Sequence, residues 1–187
     1  MTDQPPTTID HPALARVKEA FSASRLRATQ FRGQRTLIVE PGDLHRVMAF
    51  LRDDPACAYC FLSDVGGVDY LGYPQQMPGR FAVVYNLISH AHDDRLIVKV
   101  FLDPSVPTDG VEEDPSLVVD SVTDLWPGAE WPEREVFDMF GIRFTGHPDL
   151  RRILTWESFP AHPLRKDYPM RGRGERETYR VLDRTSS

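Results

Sequence analysis

The sequence predicts a two-layer α+β fold in which helices cover one face of a small, mostly antiparallel sheet. Three observations predict it. Segments of helical periodicity alternate with strand-like runs in the order α-β-α-β-β-β, a polar turn joins the last two runs, and no internal repeat interrupts the order. The length of 187 residues, with 41% apolar and 27% charged residues, fits one globular domain.

The first third of the chain predicts two helices with a strand between them. Asp10 can cap a helix that begins near Pro12, after which apolar residues recur at helical spacing. Residues 35–39 predict a short strand. A second amphipathic helix begins at Pro41 or Asp43 and ends at the D-D-P sequence of residues 53–55, because the residue before a proline avoids the helical region.

Three strand-like runs follow. Residues 56–64 predict the first, which the glycines at 66 and 67 should break. Residues 81–89 are densely apolar, as in the centre of a sheet, and residues 95–102 alternate between apolar and polar. The polar turn at 90–94 makes these last two runs a hairpin.

The last third predicts a helix and then an extended segment. Residues 132–140 form the helix, and Gly141 ends it at the position that favours a left-handed backbone. We place the core domain at residues 1–142. Residues 143–187 lack a sustained period and contain four prolines, so they predict an extended C-terminal arm that either wraps the domain or is completed by another chain.

Charge is distributed unevenly along the chain. The net charge is −6, yet residues 143–187 hold ten Lys and Arg against six Asp and Glu. A basic arm on an acidic body indicates an acidic partner, although a merely solvated arm gives the same count. We find no transmembrane stretch and no signal peptide, and two Cys residues without a secretion signal suggest a cytosolic protein with reduced thiols.

Two pairs of potential metal ligands or thiols allow a second class of function. Cys57 and Cys60 form a CxxC sequence, and His90 and His92 could add two zinc ligands. A redox-active CxxC is expected at a helix N-terminus, whereas this one lies in a strand-like run. A structural role for these residues is therefore favoured over a stand-alone zinc or thiol-redox protein.

The charged residues of the last helix and the arm do not form a recognisable active site. Glu135 and Asp138 are too close on one helix surface to serve as an acid/base pair, so an ion-pair network such as Arg134 with Asp138 is favoured. A metal interpretation would use His147, His162, Asp149 and Asp167, but no pair has a diagnostic spacing. A nucleic-acid interpretation would use Arg151, Arg152, Arg165, Lys166 and Tyr168, but the acidic pI and the lack of a reader motif argue against it.

Three ordered blocks near the C-terminus strongly resemble the 30 kDa subunit family of respiratory complex I. They are EREVFDMFGI from residue 133, GHPDLRRIL from residue 146 and HPLRKDYP from residue 162. Upstream, SVTDLWPGAEW from residue 121, VGGVDY from residue 65 and RFAVVYNLIS from residue 80 also resemble the family.

The resemblance implies a peripheral-arm subunit of NADH-quinone oxidoreductase that carries no cofactor itself, while the complex uses NADH, FMN, iron–sulfur clusters and quinone. Its partners would be the quinone-site and terminal-cluster subunits, with no nucleic acid and with membrane contact only through the complex, at the cytoplasmic face. A related hydrogenase or dehydrogenase complex is the alternative.

From the basic, proline-rich arm we expect a strap that grips the carboxylates of neighbouring subunits through Arg151, Arg152, Arg165 and Lys166. The motif residues that we assign to this interface are Glu133, Arg134, Glu135, Asp138, Gly141, His147, Pro148, Asp149, Arg151, Arg152, His162, Pro163, Arg165, Lys166, Asp167 and Tyr168.

Overall fold

The computed structural model describes residues 11–175, in which a five-stranded sheet and a two-stranded sheet share one core with three α-helices. The helices are α1 (Pro12–Ala20), α2 (Leu44–Asp53) and α3 (Glu130–Phe140). The strands are β1 (Arg27–Phe31), β2 (Gln34–Val39), β3 (Phe61–Asp69), β4 (Phe81–Ser89), β5 (Asp94–Leu102), β6 (Val118–Asp120) and β7 (Arg143–Thr145).

The large sheet has the strand order β1-β2-β5-β4-β3, and only the β2–β5 pair in it is parallel. Alternate residues of β4 and β5 are fully buried on one face, where the cross-strand pairs Val83↔Val100 and Tyr85↔Val98 meet the helices. This arrangement confirms the predicted α+β class and its mostly antiparallel sheet.

The β4–β5 hairpin forms where it was predicted, because the turn at residues 90–93 separates two strands of strong apolar alternation. The end of α3 also agrees with its prediction. Gly141 has a φ of 74°, and its N–H bonds the carbonyl oxygen of Phe137. The N-cap of α1 is His11 rather than the predicted Asp10, which lies outside the described residues.

Two strands differ from their predictions. The sequence interpretation missed β1, because all five of its residues are exposed and no burial pattern marks it. It also placed β3 at residues 56–64, so the predicted strand begins and ends about five residues too early. β3 passes through both glycines, and a Cβ atom at Gly67 would overlap the ring of Phe140, so this glycine allows α3 to pack closely on β3.

The arm begins later than the predicted boundary after residue 142. Residues 143–145 form β7, which pairs in parallel with β6, and Phe144 belongs to the buried core. From residue 146 to residue 175 the chain has turns but no helix or strand. Its prolines explain this, because each one removes a backbone donor.

Candidate subunit interface

The family-like motifs meet at one place, the unit formed by α3 and residues 146–175, which we call the α3–arm unit. Asp138 on α3 is its centre and is fully buried. One carboxylate oxygen accepts the backbone N–H groups of Ile153, Leu154 and Thr155 at 2.7–3.0 Å. A single side chain therefore satisfies three successive amides of a segment that has no ladder partner.

The other carboxylate oxygen of Asp138 binds the Arg152 guanidinium at 2.7 Å and the Thr155 hydroxyl at 2.5 Å. Burial raises the pKa of Asp138, but the hydrogen bonds from Thr155, Arg152 and Ile153 outweigh it and hold the pKa below its usual value. The carboxylate is therefore ionised when it accepts these bonds.

Arg152 also fixes the following turn of the arm. Its guanidinium donates to the carbonyl oxygens of Phe159 at 2.9 Å and Ala161 at 3.0 Å. One turn earlier on the same side of α3, Arg134 donates to the carbonyl oxygens of Arg151 and Arg152 at 3.1 and 3.0 Å. The two guanidinium groups thus donate hydrogen bonds to carbonyl oxygens that have no backbone partner in this irregular segment.

The C-terminal end of α3 holds the next part of the arm. The N–H at Nδ1 of His162 donates to the carbonyl oxygen of Asp138 at 2.9 Å, and Arg165 donates to that of Phe140 at 2.7 Å. Burial lowers the pKa of His162 to about 4, so the ring is neutral near neutral pH. A Cβ at Gly141 would overlap Arg165 and lie 2.6 Å from His162 Nε2, so this position requires glycine for space as well as for φ.

A second ion pair attaches the arm to the sheet. Asp69 at the end of β3 is paired with Arg80 at 3.0 Å and accepts the backbone N–H of Lys166 at 2.8 Å. Arg80 also pairs with Asp167 at 2.9 Å, while Thr108 donates to Asp167. The end of β3, the residue before β4 and the loop after β5 thus hold the HPLRKDYP block.

Glu133 lies on the buried side of α3. It is fully buried and accepts hydrogen bonds from the Ser121 hydroxyl at 2.6 Å and the backbone N–H of Val122 at 2.9 Å. Burial raises the pKa of Glu133 to about 7. It therefore holds the segment before α3, while Asp138 holds the segment after it.

The remaining predicted residues are less buried. His147 bonds the carbonyl oxygen of Glu130 at 3.0 Å, and its other ring nitrogen accepts the N–H of Asp149 across the exposed Pro148. The other motif residues lie at the rim of the unit, where Glu135 is exposed and Pro163 is half-buried. Asp149 pairs with Arg151 at 2.8 Å, and the Tyr168 hydroxyl donates to Glu175 at 2.7 Å.

The structure corrects two predictions about charge. Asp138 pairs with Arg152 of the arm rather than with Arg134 one helical turn away. Arg152 and Arg165 turn inward and bind acceptors of their own chain, so these two guanidinium groups do not project toward a neighbour. Arg151 and the side chain of Lys166 are exposed, and for them the interface role stays a prediction.

Sequence reasoning missed Arg80, Thr108 and Thr155 as parts of the unit. The signal for Arg80 was present, because it begins the RFAVVYNLIS block that resembles the family. Thr108 lies in the loop after β5, whose length alone does not reveal that it meets the arm.

The four residues of the zinc and thiol alternative do not come together. Cys57 is buried, and burial raises the pKa of its thiol to about 11, whereas Cys60 is exposed. His92 bonds the carbonyl oxygen of Pro55, and the His90 ring packs against Phe61. Within residues 11–175 no three His, Cys, Asp or Glu side chains are grouped to hold a metal ion.

Comparison with known proteins identifies the family. The family model of the respiratory-chain NADH dehydrogenase 30 kDa subunit matches residues 37–174. An NADH-quinone oxidoreductase subunit of Roseiflexus castenholzii is 47% identical over 166 residues, covering 87% of this chain and 86% of the relative. Its counterpart in Geobacter metallireducens is 45% identical over 168 residues, covering 90% and 94%. The chain belongs to this 30 kDa subunit family, which confirms the resemblance drawn from its motifs.

Solved structures of two other proteins have the same fold as this chain. A trypsin-resistant fragment (1-134) of Nqo5 superposes with a TM-score of 0.60 at 37% identity, covering 74% of this chain and 99% of the fragment. A chain of the membrane-bound sulfane sulfur reductase, an archaeal respiratory membrane complex, gives a TM-score of 0.64 at 20% identity over 93% of both chains, which shows a shared fold. In the part of the chain that the structure describes, each helix is too short or too polar to cross a bilayer.

Proposed function

We propose that the chain is a cofactor-free peripheral-arm subunit of a proton-translocating NADH:quinone oxidoreductase. Other subunits of that complex would carry electrons from NADH through FMN and iron–sulfur clusters to quinone. This chain would bind the quinone-site and terminal-cluster subunits, and it would reach the cytoplasmic face of the membrane only through them. Family membership supports the complex, and the α3–arm unit supports the binding role.

The observation that carries the proposal is the direction in which the α3–arm unit presents its side chains. Arg134, Arg152 and Arg165 bind acceptors within the chain, whereas several large apolar side chains of the unit are exposed to solvent. Trp131 is 61% exposed, Leu154 62%, Leu164 53% and Met170 104%. Several exposed apolar side chains within one unit are typical of a protein–protein interface.

A groove beside Leu164 adds shape to this surface. It has a volume of about 380 Å³ and is lined by Tyr70, Tyr73, Phe140 and Leu164. Aromatic side chains around a recess offer a partner both area and a fixed geometry. The groove therefore suits an apolar side chain of a neighbouring subunit.

The cysteine content supports a role without a four-cysteine iron–sulfur cluster in this chain. Two Cys residues cannot supply the four thiolates of an ordinary iron–sulfur cluster. Electron transfer is therefore assigned to the partners, and this chain is assigned a role in holding them together.

The test is assembly. Leu154→Asp and Leu164→Asp, each in the full chain and expressed with the rest of the complex, should reduce recovery of the other subunits at least tenfold, because each places a charge in the apolar interface. Phe61→Asp is the control, since Phe61 is 47% exposed but lies at the other end of β3. All three variants should keep the thermal midpoint of the free chain within a few degrees.

Unchanged recovery of the partners with both Leu variants would contradict the docking role. The identity of the recovered subunits tests the wider proposal. Subunits that bind NADH and FMN support it, whereas those of a hydrogenase or another dehydrogenase would assign the same docking role to a related complex.

A further inference from the structure

The first strand of the large sheet has an open edge. β1 pairs only with β2, and no backbone hydrogen bond within residues 11–175 reaches its other side. All five of its residues are exposed. An uncovered edge of this length can accept another strand.

The hairpin geometry shows which backbone groups are free. Arg32 and Gly33 both have positive φ, at 49° and 82°, and form the two-residue turn between Phe31 and Gln34. In an antiparallel hairpin, hydrogen-bonded and non-hydrogen-bonded residue pairs alternate, and the pair that flanks a two-residue turn, here Phe31 and Gln34, is hydrogen-bonded. Ala28 and Gln30 therefore belong to non-hydrogen-bonded pairs, and their N–H and C=O groups point away from β2. These groups have the spacing that an added strand requires.

The hairpin and the residues just before it carry positive charge that is only partly paired within the described residues. Residues 20–39 contain four Arg and no Asp or Glu. Arg35 pairs with Asp94, but within residues 11–175 Arg25, Arg27 and Arg32 form no salt bridge. Since residues 1–142 as a whole are strongly acidic, this is a local reversal of sign.

A groove continues the basic surface from the turn onto the outer face of the sheet. It measures about 490 Å³ and is lined by Arg32 and Arg95, by the Arg35–Asp94 ion pair, and by Asn86 and Ile97. At the mouth of the turn, the Phe31 side chain is 71% exposed. The surface therefore combines an apolar anchor, guanidinium donors and an open strand edge.

We propose that the β1 edge binds an extended, acidic segment of another subunit of the complex, which joins the sheet as a sixth strand. Its backbone would bond Ala28 and Gln30, and its carboxylates would meet Arg27 and Arg32. A second copy of this chain is a poor occupant, because two basic strands would repel each other across the pair. A phospholipid would match the charge but leave the backbone groups unpaired.

The experiment places a photo-crosslinking amino acid at Thr29 of the full chain in the assembled complex and maps the products by mass spectrometry. The expected product joins Thr29 to a stretch of another subunit in which Asp and Glu outnumber Lys and Arg. Absence of a product would overturn the proposal. Products with phospholipid, with a second copy of this chain or with a stretch that is not acidic would also overturn it.

Two variants test the geometry and the charge separately. Gln30→Pro removes an outward N–H but no bond to β2, and it should lower the cross-link yield about fivefold relative to Gln30→Thr, which keeps the N–H. Arg27→Glu leaves the backbone intact and should lower the yield by a similar factor of about five. An unchanged yield with Arg27→Glu would overturn the proposal even if Gln30→Pro disturbs the hairpin. Because none of these residues lies in the α3–arm unit, loss of the cross-link with normal assembly leaves the proposed function intact.

Discussion

Replacing Asp138 with Asn should release the arm from α3 and strongly destabilise the chain. The substitution keeps the size of the side chain but leaves only one oxygen acceptor. With the amide group in either orientation, its NH₂ faces donors: three backbone N–H groups in one case, or the Arg152 guanidinium and the Thr155 hydroxyl in the other. Buried donors therefore lose their acceptor whichever way the amide turns.

The size of the effect follows from burial. Asp138 is fully buried, and the Arg152 side chain opposite it is 9% exposed, so water cannot replace the lost bonds. Breaking one partner of such a pair costs about 3–5 kcal/mol, because the remaining charge stays buried without compensation. The matched change Asp149→Asn affects an exposed pair with Arg151 and should cost less than about 1 kcal/mol.

Urea unfolding of the unmutated chain, of Asp138→Asn and of Asp149→Asn at pH 7 measures these differences in the free energy of unfolding. Trypsin should also cut after Arg152 faster in Asp138→Asn, because the amides of residues 153–155 no longer bind a carboxylate. A loss below about 1 kcal/mol, or equal losses for both variants, would refute the role of Asp138 as the buried anchor of the arm.

Two other substitutions probe burial under α3. The raised pKa of Glu133, about 7 when folded against 4.5 for its ordinary value, means that folding favours the protonated form, so its contribution to stability is present at low pH and is lost as pH rises from about 4.5 to 7. Glu133→Gln should remove this loss of stability, which amounts to up to about 3 kcal/mol. Urea unfolding of both proteins between pH 4.5 and 7 tests this, and a difference in the free energy of unfolding that does not change with pH would contradict it. His162 has the opposite pH dependence, but it is present in both proteins and therefore cancels in the difference. Gly67→Ala should cost about 1–3 kcal/mol because its methyl group would meet Phe140, whereas Gly66→Ala has open space and should cost less than about 1 kcal/mol; equal thermal midpoints would contradict the close packing.

The sequence was most informative where burial imposes a period. The β4–β5 hairpin and α3 could be predicted because their buried residues recur at intervals of two and of three to four, and Gly141 ends α3 for a reason that local chemistry supplies. β1 could not be predicted, since exposed residues carry no such period and only pairing with β2 defines it.

The direction of the arm's charges was the part that sequence could not supply. Arg151 and Arg152 are neighbours with the same side chain, yet Arg151 is exposed while Arg152 enters the Asp138 site. In an irregular segment no periodicity assigns a side chain to one face, so only the folded contacts distinguish them. The motifs thus named residues that the structure brings together around α3, while the inward direction of two arginines required the structure.

Oxidative footprinting of the free chain and of the assembled complex tests the docking surface most directly. Hydroxyl radicals oxidise Met and Trp side chains that solvent reaches, and Met170 and Trp131 are among the most exposed large apolar side chains of the described residues. If the outer side of the α3–arm unit contacts neighbouring subunits, both side chains should be oxidised readily in the free chain and protected after assembly. Equal oxidation in the two states would show that this surface stays in water and would contradict the account.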